Sequence, residues 1–318
     1  PKHPLTVVQA DGKTKRLNGL IAVDASSLLY QALTGKSNHS IAAFKCHQRD
    51  KFIDHADNEK SIPIKNEEAL RRAKSIISHI IECNWGVALV VDGMSNPLKE
   101  AENQKRKDAR QKQVAALRKK LKQAESKCSD LKKLMRSAVS VSNYLIADLH
   151  SWAKDEPYIW EVVAPFEADH QIAYMVRENI CQAVYGSDVD YSVLGCKWVL
   201  HSAQNVTAVV PQTRHLTLQH LDTALTKGLD GGPGSMFKND AIIAAHTWTL
   251  QDLQFLHCLW GNDYTGHLRP KGYGPKKLLP YLRKWLLSSS ASTDLDTRLA
   301  AVEFPSAWSE YSEVIKIA

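Results

Sequence analysis

Seven carboxylates stand where a sheet-based site would need them. Asp24 closes the apolar run Leu20-Ile-Ala-Val-Asp24 and Asp92 closes the run that begins at Val87. Glu167 and Asp169 follow the run Ile159–Val163 across Ala164-Pro165, and Asp188 and Asp190 form an Asp-x-Asp beside Tyr191–Leu194. In an open α/β sheet the ligand crevice lies outside the carboxyl ends of the strands, so these six acids are expected to face one crevice. A seventh, Asp263, comes later in Leu259-Trp-Gly-Asn-Asp-Tyr264. Crowded carboxylates raise one another's pKa and resist ionisation, and hard divalent cations such as Mg²⁺ relieve that cost through oxygen ligands. A pair of such ions can activate water and stabilise both oxygens of a phosphodiester displacement. Taken singly, Asp24 before Ala-Ser-Ser also reads as a helix N-cap, and Asp92-Gly93 as a turn. Taken together, seven acids at strand ends point to metal.

The elements that must hold these acids are legible as alternating patterns. Short β-branched runs read as strands buried on both faces, and the helical stretches Glu67–Cys83 and Ala168–Asn179 lie between them. That order predicts an α/β fold with a mostly parallel central sheet flanked by helices. Lys197–Val210 is strand-like, Leu216–Lys227 reads as a short helix, and the chain is helical from Leu250 onward. The glycine-rich Gly228–Gly234 lacks the spacing of a phosphate-binding loop and reads as a flexible connection.

Between Pro97 and Pro157 there is neither Gly nor Pro, and Lys, Gln, Ala, Leu and Glu dominate, which predicts one long helix or a helical hairpin. Val114, Leu117, Leu121, Ala124, Cys128, Leu131, Met135 and Ala138 follow a 3,4 spacing. This seam suits either a coiled coil with a solvated basic face or a basic helical lid over a phosphate backbone.

Charge is unevenly placed. The 318 residues carry a formal +7. Residues 99–136 alone hold 14 Lys/Arg against five acids, and His267–Lys284 adds six Lys/Arg with no acid, leaving the remainder at −8. Two basic patches suit an anionic polymer, while the acidic remainder suits cations. Six cysteines without any Cys-x-x-Cys pair argue against a zinc ribbon or disulfide framework and for reduced, intracellular thiols. No apolar run approaches the roughly 20 residues of a membrane span, and the opening PKHPLTVVQADGKTKR lacks the apolar block of a signal peptide. The first residue is Pro rather than Met, as in a trimmed fragment.

The motifs, in this order, resemble the flap endonuclease family of structure-specific 5′ nucleases. Ile21-Ala-Val-Asp-Ala-Ser-Ser-Leu-Leu-Tyr30 resembles the first aspartate motif, and Val90-Val-Asp-Gly93 the second, followed at family spacing by Leu98-Lys99 and Lys105-Arg106. Ala164-Pro-Phe-Glu-Ala-Asp169 resembles the internal signature, Gly186-Ser-Asp-Val-Asp190 the paired aspartates, and Leu259–Tyr264 the last one. Lys271-Gly-Tyr-Gly-Pro-Lys-Lys277 resembles the family's helix-turn-helix DNA-binding element.

The resemblance implies a PIN-like 5′ nuclease core, a basic helical arch and a C-terminal helical DNA-binding region. It divides the chain into core residues 1–96, an arch insertion over 97–156, further core over 157–249 and the helical region 250–318. Asp24, Asp92, Glu167 and Asp169 would serve one Mg²⁺ (or Mn²⁺) and Asp188, Asp190 and Asp263 a second. Lys99 and Arg106 would offset charge on the scissile phosphate, with Lys105 beside them on the nucleic acid. Tyr30 would stack on a displaced base, core packing being its other reading. Gly272 and Gly274 would admit backbone N–H groups to phosphate, with Lys276 and Lys277 adding charge, and the same turn holds a monovalent cation in the family. The implied partner is DNA with a 5′ single strand, flap or duplex junction, with RNA as an alternative, and the implied protein is an intracellular monomer, nuclear or else organellar. The family's clamp-binding motif does not occur in these residues. Two other readings stay open: a family member that binds nucleic acid or regulates translation without cutting, and a coiled-coil interaction protein.

Overall fold

A computed structural model describes residues 5–8, 13–35, 66–123, 127–186, 188, 190–196, 198–200, 242, 246, 248–260, 275–288 and 294–308. The predicted helix over 216–227, the glycine-rich 228–234, Asp263, Gly272 and Gly274 lie outside them. The described residues fall into two compact units.

The first unit is built on a five-stranded, wholly parallel sheet. Its strands are β3 (Leu20–Asp24), β4 (Gly86–Val91), β5 (Ile159–Val163), β6 (Ala183–Tyr185) and β7 (Val199–Leu200), in the spatial order β5-β4-β3-β6-β7. Ile21, Ala22 and Val23 of β3 and Val87–Val90 of β4 have no exposed surface, as expected of central strands covered on both faces. A short antiparallel hairpin, β1 (Leu5–Val8) with β2 (Thr14–Leu17), precedes the sheet.

Helix α1 (Ala25–Thr34) follows β3 without a loop, and α2 (Asn66–Glu82) buries Ala69, Ala73, Ile77 and Ile80 at helical spacing against the same core. The segment expected as one long helix or hairpin is instead three helices, α3 (Glu100–Leu121), α4 (Cys128–Ala138) and α5 (Asn143–Ala153), after a 3-10 turn at Pro97–Lys99. The break before α5 has a local cause. Ser142 caps α5 by accepting from the Leu145 N–H at 3.2 Å, so a new helix starts where composition alone would have continued the old one. The 3,4 seam holds across the first break: Leu117, Leu121, Leu131, Met135 and Ala138 are buried in the core of the first unit. It is therefore an intramolecular seam. Ala124 lies outside the described residues.

A second correction concerns Tyr191–Leu194, expected as a strand. It forms the helical turn α7 (Asp190–Val193), because the Leu194 N–H returns to the Asp190 carbonyl at 2.8 Å and Gly195, at φ +89°, closes the turn. The strand at this level is Ala183–Tyr185, three buried residues too few to show a period. Asp188 thus follows a strand end, as the crevice argument requires, but it follows β6. Helix α6 (Ala168–Arg177) connects β5 to β6.

The second unit centres on α8 (Leu250–Trp260), α9 (Pro275–Ser288) and α10 (Leu295–Val302), with α7. Phe255 stacks on Trp285 with centroids 4.2 Å apart, within a core that includes Leu256, Leu259, Leu282, Leu299 and Trp308. Asp252 is wholly buried there. Its Oδ1 accepts from Trp285 Nε1 at 2.8 Å and Arg298 Nη2 at 2.6 Å, and its Oδ2 accepts from the Thr249 N–H at 2.8 Å. Among the described residues no helix is long and apolar enough to cross a membrane.

Candidate active site

Asp24 is the last residue of β3 and the N-cap of α1, its Oδ1 accepting from the Ser27 N–H at 3.0 Å. The capping reading and the site reading therefore both apply. The strand delivers the carboxylate to the carboxyl edge of the sheet, and the cap fixes its orientation. Its pKa is pushed up to about 7, first by burial and then by the negative charges of Asp169 and Asp92, against the opposing Ser27 hydrogen bond. A carboxylate held half protonated at neutral pH is one that a cation would stabilise.

Asp92 stands one residue past β4 and joins two distant motifs. Its Oδ2 accepts from Ser26 Oγ at 3.0 Å and its Oδ1 from the Ala168 N–H at 2.9 Å. The first bond reaches Asp-Ala-Ser-Ser, and the second reaches the Ala164–Asp169 signature at the N-terminus of α6, where helical N–H groups favour negative charge. The β4–β5 pairing also runs on past the strands: the Ala164 N–H donates to Val91 O at 2.9 Å, Gly93 N–H to Phe166 O at 2.6 Å and Met94 N–H to Pro165 O at 3.1 Å. A Cβ on Gly93 would lie 1.9 Å from the Ala164 carbonyl oxygen. Glycine is required there because the two backbones cross in contact.

Glu167 is the N-cap residue of α6 without a side-chain capping bond, and its Oε2 lies 3.8 Å from His170 Nδ1. Asp169 is in the first turn of α6, close enough to Asp24 to act on its ionisation. The structure thus brings Asp24, Asp92, Glu167 and Asp169 to one edge of the first unit's sheet. Asp188, exposed after β6, belongs to the same unit. Asp190 belongs to the second unit, where its Oδ1 lies 3.5 Å from His257 Nε2. Among the described residues no three Asp, Glu, His or Cys side chains converge on a single point that could hold a metal ion. The first four acids share a neighbourhood without forming a ready cage.

The basic and aromatic candidates are placed differently from one another. Lys99, in the 3-10 turn, is buried rather than set on a solvated helix face, while Lys105 and Arg106 are exposed on α3. Tyr30 is not core packing: it is 44% exposed, and its hydroxyl donates to the Arg136 carbonyl at 3.3 Å. Lys277 is exposed on α9, and the Lys276 side chain, like Asp263, Gly272 and Gly274, lies outside the described residues. Ser26, the Ala168 N–H, Gln254 and His257 were not singled out by type or spacing. Ser26 and Ala168 fell inside motifs already quoted, and Gln254 and His257 did not.

Residues 159–263 match the family model of the XPG I-region. The chain is 29% identical over 112 residues to "Exonuclease 1" of Xenopus laevis, covering 35% of this chain and 15% of that protein. It is 28% identical over 197 residues to "Exodeoxyribonuclease 1" of Schizosaccharomyces pombe, covering 62% of this chain and 30% of that one. Among solved structures, "The catalytic core of Rad2 in complex with DNA substrate" aligns at TM-score 0.44 and 15% identity over 94% of this chain and 72% of that one. The chain spans less than a third of the length of these curated relatives. The matched region contains β5, α6 and β6, and Asp92 is tied to the first helix of it, so over residues 159–263 this chain is similar to the XPG I-region.

Proposed function

We propose that the protein is a metal-dependent, structure-specific 5′ nuclease that hydrolyses phosphodiester bonds in branched or 5′-ended DNA. The observation that carries this reading is the Asp92 carboxylate, which accepts from Ser26 of the first motif and Ala168 of the internal motif beside the buried Asp24. The donor set is all oxygen and acidic, and Asp24 is held to about 7 by burial and neighbouring charge, so the residues fit hard divalent cations. Asp24, Asp92, Glu167 and Asp169 would hold one such ion and Asp188, Asp190 and Asp263 a second. Bound there, Mg²⁺ or Mn²⁺ would supply an activated water and charge neutralisation at the phosphate.

The chain's own groups supply the rest. Lys99 and Arg106 offset charge on the scissile phosphate, and Lys105 binds the backbone next to it. Tyr30, anchored through its hydroxyl, offers a ring face to a displaced base. The basic segment within 97–156 serves as an arch over a single 5′ strand, and the 271–277 element grips duplex, with a monovalent cation at residues 272–274. The names of the curated relatives favour exonucleolytic action.

End-labelled DNA and RNA flaps, 5′-recessed duplexes and single strands, with Mg²⁺ or Mn²⁺, test the reading. Cutting should leave a 5′-phosphate and a 3′-hydroxyl, and Asp188→Asn should abolish cutting while leaving binding largely intact. A wild type that binds these substrates but cuts none is a scaffold. Equal cutting of blocked and free 5′ ends refutes threading.

A further inference from the structure

Within the second unit, Asp190 opens a helical turn of only four residues, α7, which has little intrinsic stability because nucleation fixes more dihedrals than one turn of hydrogen bonds repays. Two side chains of α8 reach its two ends. Gln254 Nε2 donates to the carbonyl of Val193, the last residue of α7, at 3.1 Å. His257 Nε2 lies 3.5 Å from Oδ1 of Asp190, the first. Gln254 and His257 are three residues apart and so share one face of α8.

That helix is itself firmly set. Asp252, on α8, is locked to Trp285 of α9 and Arg298 of α10, and Phe255, Leu256 and Leu259 are buried in the unit's core. One well-packed helix therefore meets both ends of the turn bearing Asp190.

We propose that His257 and Gln254, both on α8, are positioning residues for Asp190. The proposal rests on the nuclease reading of Asp190. His257 fixes the rotamer of the carboxylate and Gln254 fixes the backbone turn that presents it. Changing groups that orient a metal-binding carboxylate without touching the metal costs roughly 10–100-fold in metal affinity or activity.

The test uses the full chain with His257→Ala, His257→Gln and Gln254→Ala. Mn²⁺ binding is measured by calorimetry without nucleic acid, hydrogen exchange is followed at the Leu194 and Cys196 amides, and kcat and KM are measured on a 5′-flap DNA. The side chains of His257 and Asp190 are 27% and 34% exposed, so neither His257 variant should lower Tm appreciably. In His257→Ala one Mn²⁺ site should weaken about tenfold, kcat should fall with KM little changed, and both amides should exchange faster. His257→Gln should restore most of each effect, and Gln254→Ala should act chiefly on exchange. Wild-type cutting together with unchanged Mn²⁺ affinity and exchange in His257→Ala overturns the inference alone. A wild type that neither binds Mn²⁺ nor cuts overturns the nuclease reading along with it.

Discussion

Asp24 is the residue at which burial and charge conflict most sharply. Its pKa of about 7 in the folded chain exceeds the ordinary carboxylate value, so the folded state holds a proton that the unfolded state has released. Metal-free protein is therefore expected to lose stability as pH rises from about 4 through 7, by up to about 4 kcal/mol if the whole shift is realised. Asp24→Asn keeps an oxygen to cap α1 and removes the charge, so it should flatten this dependence and raise the metal-free Tm at pH 8. Added Mg²⁺ should stabilise wild type more at pH 8 than at pH 5, and Asp24→Asn hardly at all. Thermal melts across that range decide the point, and equal Mg²⁺ effects at both pH values would exclude Asp24 from metal binding.

The elements matter because they turn separated motifs into one edge. Asp92 meets Ala168 only because β4 and β5 are parallel neighbours whose backbones stay paired beyond their ends, down to the Gly93–Phe166 bond. Gly93→Ala would drive a Cβ into the Ala164 carbonyl, a backbone atom that cannot swing aside. We expect a stability loss of about 2 kcal/mol or more and a matching loss of activity, both measurable by urea unfolding and flap cleavage. The strands that deliver Asp24 and Asp92 were legible because they are five and six residues long, rich in Val and other apolar residues, and buried over most of their length. Ala183–Tyr185 was not, because three residues show no period, and Tyr191–Leu194 read as a strand from composition while its hydrogen bonds close locally. The three-way division of residues 100–153 was hidden for a similar reason. The break made by the Ser142 cap has no Gly or Pro to mark it.

Across the whole molecule, stability and binding are carried by different groups. In the second unit burial raises the Asp252 pKa, but hydrogen bonds from His246, Thr249 and Arg298 outweigh it and hold the group at about 2. Because the folded value lies below the unfolded one, Asp252 contributes about 2 kcal/mol above pH 4, and this is lost as pH falls toward 2. Asp252→Ala strands the buried Arg298 charge and should cost about 3–5 kcal/mol at neutral pH, read from denaturant unfolding followed by Trp fluorescence. Binding should depend instead on the exposed charges of α3. Replacing Lys105, Arg106 and Arg110 with Gln should shallow the slope of log affinity against log salt by about 2–3; an unchanged slope would remove α3 from the DNA interface. The sequence by itself determined the parallel α/β class, the order of the acidic motifs and the two basic patches, because periodicity, residue type and charge are local properties. Only the tertiary structure decided that one carboxylate bridges two motifs, that the 3,4 seam turns inward, and that α8 grips the turn bearing Asp190. Those contacts join residues from about 60 to 80 positions apart, and no local pattern encodes a partner at that distance.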